Sequence, residues 1–289
     1  MKCPRPARRT RSSRPRRAAL FAGLALLAAA TAAGCDSRVG IEGTDYDTGT
    51  GSTSTSAAPS STPPAGEVAV TVSLESPDPE AADALTRFAI DLQELPRPQL
   101  VDKCWTMAPR NVETMYADKQ AVVRALAQPG VDDGTAITWQ GPQVPGRAGI
   151  TVVAQRADIA TGYACPRVYP TGAETSYNDA DARHTVRRYL ARSTGRPLDP
   201  ADREDTHPLI CDAAWDPAGS GRTAAAPLST NPGKLTGVRS FVDQSITSAP
   251  LRGNYLSVSA PVTTASGTQE QTFTLRLTDQ GYCLGDVSG

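Results

Sequence analysis

The first 34 residues constrain this chain most, because they decide the compartment in which the rest of it folds. The first half of this segment carries eight basic side chains and no acid, and an uncharged run rich in Ala and Leu follows over 18–34. The run ends in small residues directly before Cys35. A basic segment, an apolar segment and a small-residue cleavage site predict a secretory signal peptide over 1–34. We therefore expect the remaining chain to fold outside the cytoplasm, where disulfide bonds persist.

Four further cysteines predict two disulfide bonds. Cys104, Cys165, Cys211 and Cys283 are an even number in an exported chain, which is typical of a disulfide framework. Of the three possible connectivities we favour Cys104–Cys165 and Cys211–Cys283, because each bond then closes a loop within one half of the folded region. Each loop would stabilise the fold by about 4 kcal/mol in the chain-entropy treatment. Four buried free thiols are the alternative, and no pair has the close spacing of zinc-binding loops.

The residues that end the signal segment resemble a lipobox. Ala32-Ala33-Gly34-Cys35 is similar to the lipobox of bacterial lipoproteins, except at Ala32, where Leu is commonest in that class. The resemblance implies cleavage before Cys35 and a diacylglyceryl group on its thiol, so the membrane is the expected partner, on its extracytoplasmic face. Two or more acyl chains on one cysteine hold a protein stably. An uncleaved membrane anchor and soluble secretion are the alternatives, and Arg16-Arg17 leaves twin-arginine export open.

Composition divides the remaining chain into a spacer and a folded region. The segment 35–66 is rich in Ser, Thr, Gly and Pro and has no large hydrophobe from residue 48 onward, which predicts a disordered linker. Such a linker would hold the folded region away from the membrane. Without the signal segment the chain has 21 basic and 30 acidic residues, a net charge of −9. This charge argues against binding to nucleic acid and against a polybasic lipid-binding surface.

Hydrophobic periodicity predicts an α+β region with two related halves, 67–175 and 176–289. The predicted elements of the first half are a strand over 68–74, helices over 79–95 and 111–127, and strands over 136–139, 149–156 and 159–168. Those of the second half are a helix over 179–193 and strands over 235–247, 255–263, 272–277 and 282–287.

The two halves end in similar sequences, which indicates an internal duplication. The segments 155–165 and 276–283 each read as a strand, a turn containing Asp, and a Gly-Tyr pair followed by Cys. A helix followed by an antiparallel meander near the C-terminus resembles nuclear-transport-factor-2-like and cystatin-like domains, best over the last fifty or so residues. The resemblance implies two tandem cone-shaped units, each a curved antiparallel sheet wrapped around a helix. It does not imply a function.

A search for chemistry predicts no catalytic residue, no cofactor and no metal site. The chain has two histidines: His184, expected to face solvent from a helix, and His207, in a polar loop. Nucleophile-elbow, P-loop, dinucleotide and zinc-protease motifs are absent from the sequence. The acidic loop 199–205 lacks the central Gly and distal Glu of a calcium loop, so we expect it to be solvated. Three tryptophans either fill the core or line a ligand pocket: Trp105, Trp139 and Trp215.

These observations favour a non-catalytic lipoprotein that binds an envelope protein or a small ligand outside the membrane. The first alternative is a secreted hydrolase that uses carboxylates in a cone-shaped pocket. The second is a structural part of a secretion or conjugation apparatus, by analogy with other tandem cone-shaped domains.

Overall fold

The computed structural model describes residues 69–289 except Val144, Arg147, Thr175 and Ala213. The predicted signal peptide, Cys35 and the predicted linker therefore lie outside the described residues. Within the described part the chain forms seven α-helices and two five-stranded sheets, which confirms the α+β prediction. None of the helices in this part is long and apolar enough to cross a membrane.

The first half combines five helices with a mixed sheet. Its elements are β1 (Ser73–Leu74), α1 (Pro79–Glu94), α2 (Arg97–Lys103), α3 (Pro109–Met115), α4 (Lys119–Leu126), β2 (Pro129–Asp132), β3 (Ala136–Gln140), β4 (Ile150–Gln155), α5 (Arg156–Ile159) and β5 (Arg167–Pro170). The strands follow one another in sheet order, with β1 parallel to β2 and every other pair antiparallel. Asp78 caps α1 by accepting a hydrogen bond from the backbone N–H of Ala81, and Pro79 occupies the first turn.

The second half places one long helix on an antiparallel sheet. Its elements are α6 (Asp179–Ser193), α7 (Pro227–Thr230), β6 (Ser240–Phe241), β7 (Thr247–Pro250), β8 (Tyr255–Thr264), β9 (Gly267–Thr278) and β10 (Gly281–Ser288). The sheet order is β10-β9-β8-β6, and β7 also pairs with β8. A capping box between Asn178 and Asp181 fixes the start of α6. Apolar side chains at Ala182, Val186 and Leu190 then meet the sheet.

Each half of the described region has a hydrophobic core of its own. In the first half the core surrounds Phe88 and Trp139, both fully buried. In the second half it surrounds Phe273 and the alternating inward side chains of β8 and β9. None of the apolar clusters among the described residues contains side chains from both halves.

The structure contains both disulfide bonds, in the pairing that the sequence favours. Cys104 bonds to Cys165 across 61 residues of chain, with their Cα atoms 5.6 Å apart. Cys211 bonds to Cys283 across 72 residues, with their Cα atoms 4.9 Å apart. Both separations are ordinary for disulfides. Each bond therefore closes a long loop within one half.

Several predicted elements are wrong in extent. The helix expected over 111–127 is two helices, because the chain turns after Met115 and a new helix starts at the cap residue Asp118. The strand expected over 159–168 begins only at Arg167. Only β1 is a strand in the described part of 68–74, and only β6 and the first residue of β7 are strands within 235–247. Helix α2 was not predicted.

The two segments that suggested a duplication have different structures. The segment 155–165 leaves β4 through the short helix α5 and reaches Cys165 in a loop. The segment 276–283 is the end of β9, a two-residue turn and the start of β10, so its Cys lies in a strand. The parallel β1–β2 pair has no counterpart in the second sheet, whose pairs are all antiparallel.

Candidate functional site

Trp105, from the first half, is contacted by three side chains of the second half. Its backbone carbonyl lies 2.7 Å from Nε2 of His184, its ring meets the His207 ring edge-on at 4.8 Å, and the Arg188 guanidinium lies 5.0 Å from the ring centroid. His184 and Arg188 reach it together because residues four apart share one helix face. The prediction that His184 faces solvent is wrong, since this face of α6 turns toward the first half and His184 is 5% exposed.

A buried ion pair joins β5 of the first half to the start of α6. Arg167 donates to Asp181 at 2.6 Å, and both side chains are almost completely buried. Asp181 also accepts a hydrogen bond from the side chain of Asn111 at 2.7 Å and one from the backbone N–H of Asn178 at 2.9 Å. Because the buried carboxylate has three donors, its charge is well compensated.

A second buried network holds the acidic loop 199–205 against α6. Asp202 accepts hydrogen bonds from Arg188 at 2.7 Å and from Arg192, which also bonds Glu204 at 2.7 Å. Burial opposes ionisation of Asp202, but the two guanidinium groups outweigh it and hold its pKa below the ordinary value. The prediction of a solvated loop is therefore wrong at Asp202, which is 1% exposed because it neutralises two arginines.

Two adjoining cavities lie beside these networks. The first, here called the interface cavity, has a volume of about 490 Å³ and is lined by both halves of the chain. The second, here called the acidic cavity, has a volume of about 710 Å³. Four residues line both: Thr106, Asp158, Cys165 and His207. Both volumes fall in the range of small-molecule sites in proteins, roughly 300–1,000 Å³.

Asp158 is an uncommitted carboxylate at the junction of the two cavities. It lies on α5, is partly buried, and its carboxylate accepts no hydrogen bond from any described residue. Burial raises its pKa to about 6, against the opposing charges of Arg188 and Arg167. Asp158 therefore gains or loses its proton just below neutral pH, as functional carboxyls commonly do.

The acidic cavity already binds one ammonium group of the chain itself. The Lys103 ammonium lies 3.7 Å from the Asp91 carboxylate and 5.4 Å from the centroid of the Tyr163 ring. The Tyr163 hydroxyl donates to Asp91 at 2.9 Å. A carboxylate and an aromatic face thus hold a cation together in this wall.

His207 is a buried wall residue of both cavities. It is 8% exposed, and its Nε2 atom has no hydrogen-bond partner among the described residues. Burial, together with the charge of Arg188, lowers its pKa below the ordinary value, so the ring is neutral at neutral pH. A neutral imidazole has one nitrogen that accepts a hydrogen bond.

The three tryptophans divide between the core and the cavities. Trp139 is fully buried and donates to the backbone carbonyl of Ser73 at 2.8 Å. Trp215 packs in a small cluster with the Cys211–Cys283 disulfide. Trp105 is partly exposed and lines the acidic cavity. Among residues 69–289, less the four undescribed positions, no group of three or more His, Cys, Asp or Glu side chains is placed to hold a metal ion.

Comparison of the chain with protein-family models, with curated proteins and with solved structures finds no match. The candidate site therefore rests on its own geometry. Sequence reasoning missed Asp158 and the interface role of α6. The spacing of His184, Arg188 and Arg192 marks one continuous helix face, but not what that face contacts.

Proposed function

We propose that the chain is a lipoprotein anchored by Cys35 to the extracytoplasmic face of a membrane, and that its folded region binds a small ligand without catalysing a reaction. The observation that carries the binding proposal is the pair of adjoining cavities between and beside the two halves. Their shared wall contains the Asp158 carboxylate and the Nε2 atom of His207, neither of which has a hydrogen-bond partner among the described residues, whereas the neighbouring arginines are paired. Convergent uncommitted polar groups in a cavity of this size are typical of ligand sites.

The two disulfide bonds support the proposed location. Disulfides form and persist in oxidising compartments outside the cytoplasm, and a chain with a secretory segment folds there. The lipobox resemblance at 32–35 supplies the anchor, and 35–66 would act as the spacer.

Within this proposal each half is a cone-shaped unit in which a curved sheet wraps around one long helix, with four further short helices in the first half. What supports it is that α1 and α6 each bury an apolar face in the core of their own half. The different strand orders of the two sheets weigh against a recent duplication.

The anchor is tested by intact mass and detergent partitioning of the full chain from a bacterial membrane, beside Cys35→Ser. We expect a wild-type chain that begins at Cys35, carries added diacylglyceryl mass and enters the detergent phase. The variant should lose both the mass and the partitioning. Wild-type protein without lipid in the medium would refute the anchor.

Binding is tested by labelling the tryptophans with fluorine and following their three NMR signals in the full chain in mild detergent. The Trp105→Phe variant assigns the Trp105 signal, and Trp139 and Trp215 serve as internal controls because they lie in the cores. A set of small cationic, neutral and anionic compounds should include members that shift the Trp105 signal alone. If no charge class shifts it, the binding proposal fails.

A hydrolase is the second candidate, favoured by the pKa of Asp158 near 6. A carboxyl that is partly protonated near neutral pH can act as a general acid. A turnover on any envelope substrate that disappears in Asp158→Asn, in a variant that still folds, would replace the binding proposal by this one.

A further inference from the structure

We infer that the ligand of the acidic cavity is a small organic ammonium compound, bound between the carboxylates of Asp102 and Asp158 and the aromatic wall of Trp105 and Tyr163. This inference rests on the proposed binding function and names the chemical class of its ligand.

The charge of the cavity wall is the first argument. Four carboxylates and one ammonium line it: Asp91, Asp102, Asp158, Asp199 and Lys103. Lys103 neutralises Asp91, and the Asp199 carboxylate is bonded to the backbone N–H of Ala201 at 2.8 Å. The side-chain carboxylates of Asp102 and Asp158 accept no hydrogen bond from a described residue. A cation in the cavity would compensate charge that the described chain leaves unpaired.

The nearby arginines do not supply that compensation in full. Arg167 and Arg188 both act on Asp158 through their charge. Each is already bonded to a buried carboxylate, at 2.6 Å to Asp181 and at 2.7 Å to Asp202. The positive field that reaches Asp158 is therefore weakened by these partners.

The aromatic wall is the second argument. Lys103 shows how this wall holds an ammonium, between the Asp91 carboxylate and the Tyr163 ring. Trp105 lines the same cavity, and its ring already lies beside one guanidinium. Aromatic faces attract alkylammonium groups by the same electrostatics. A bare metal ion uses neither a ring face nor a cavity of about 710 Å³, whereas an organic cation with several carbons uses both.

The third argument is the buried side chain of His207, an observation separate from the charge of the acidic residues. Its side chain is more than nine-tenths buried in the wall of the cavity, and Nε2 lacks a partner among the described residues. Its neutral ring can accept a hydrogen bond, and an ammonium is a donor without an acceptor. A ligand N–H that reaches this wall would satisfy the nitrogen.

The same geometry predicts that acid weakens binding. Asp158 is the carboxylate of the cavity that changes its charge just below neutral pH, and it is faced by Arg167, Arg188, Tyr116 and Tyr177. Its pKa is raised to about 6, so it is charged above that pH and neutral below it. If binding needs the carboxylate, the affinity should fall about tenfold from pH 7 to pH 5, as its ionised fraction does.

The test compares three probes of equal chain length on the full chain in mild detergent: 1,5-diaminopentane, 1,5-pentanediol and glutarate. Calorimetry gives each dissociation constant, and the fluorine signal of Trp105 locates each binding event. We expect the diamine to bind and to shift the Trp105 signal, with about tenfold weaker binding at pH 5. The diol and the dicarboxylate should do neither.

Two variants and one control complete the test. Asp158→Asn should weaken diamine binding at least about tenfold at pH 7 and remove its pH dependence. Asp102→Asn, at an exposed position, should weaken it too and serves if Asp158→Asn fails to fold. Asp205→Asn removes an equal charge from an exposed residue that lines neither cavity, and should leave binding unchanged.

The outcomes separate this inference from the binding function. If the diol or glutarate shifts the Trp105 signal and the diamine does not, the cavity binds ligands but their class is wrong. Diamine binding that is unchanged in both Asp variants or between pH 7 and pH 5 also overturns the inference. If none of the three probes, nor any member of the wider set of charge classes, shifts Trp105, both proposals fail.

Discussion

Buried His184 predicts a specific loss of stability in acid. The ordinary pKa of histidine is 6.5, and burial lowers that of His184 to about 4, with the charges of Arg188 and Arg187 acting in the same direction. The carbonyl of Trp105 and the carboxylate of Asp181 oppose this shift but do not cancel it. A group whose folded pKa is depressed contributes its full stability above the unfolded pKa and loses it as the pH falls.

The magnitude follows from the same values. At about 1.4 kcal/mol for each pH unit between the folded and unfolded pKa, keeping His184 neutral costs about 3 kcal/mol at pH 4 and nothing above pH 6.5. Water screens this electrostatic effect very little, because His184 is 5% exposed. Asp158 changes in the opposite sense: because its pKa is raised from 3.8 to about 6, the folded state gains stability as the pH falls through this interval. The pH dependence of the wild-type free energy of unfolding therefore contains both effects, and a variant is needed to separate that of His184.

The assay is urea unfolding of the wild type and His184→Gln with disulfides intact, at pH 7.5, 6.5, 5.5 and 4.5. Glutamine keeps a polar group near the Trp105 carbonyl and does not titrate. The variant should have a lower free energy of unfolding than the wild type at neutral pH. The difference between the two proteins should become smaller by about 2–3 kcal/mol at pH 4.5, because protonation of His184 destabilises the wild type alone. A gap that stays constant within about 0.5 kcal/mol over this range, or a directly measured His184 pKa near 6.5, would refute the reasoning.

Three further predictions concern the interior. Asp202→Asn leaves two buried guanidinium groups without their charge partner and should cost about 3–5 kcal/mol in urea unfolding, whereas Asp205→Asn, exposed, should cost under about 0.5 kcal/mol. Replacing Cys104 and Cys165 together by Ala should cost about 4 kcal/mol, seen as a lower midpoint in a denaturation series, and a cost under about 1 kcal/mol would contradict it. Trp139→Phe removes the hydrogen bond to the Ser73 carbonyl and some packing, and should lower the free energy of unfolding by about 1–3 kcal/mol. Diamine binding should not change, and altered binding would show that the core and the cavity are coupled.

The parts of the fold that the sequence predicted are those with local signals. The predicted helix over 179–193 has the bounds of α6, because apolar residues recur at helical spacing along it; the structure adds the capping box of Asn178 and Asp181. Strands β8 to β10 were recognised because alternate side chains enter one core. The disulfide pairing follows from the division of the region into two halves, because each bond closes a loop within one of them.

The parts that the sequence did not predict depend on distant partners. His184, Arg188 and Arg192 form a polar stripe, and a polar stripe on a helix usually faces water. Here it faces Trp105 and Asp202, which are far away along the chain, so no local pattern distinguishes the two cases. The sequence places Asp158 in a turn between two predicted strands, whereas a single helical turn carries it into the cavities.

The polar contacts around Trp105 have a mechanical consequence, because the described halves meet through hydrogen bonds and ion pairs and keep their apolar clusters separate. When such polar contacts between the halves break, water replaces the lost hydrogen-bond partners, and little apolar surface becomes exposed. Separation of the halves should therefore depend on ionic strength, and it should cause only a small change in heat capacity, unlike the exposure of a core. If the halves separate, we expect them to do so at these polar contacts, with both cores still folded.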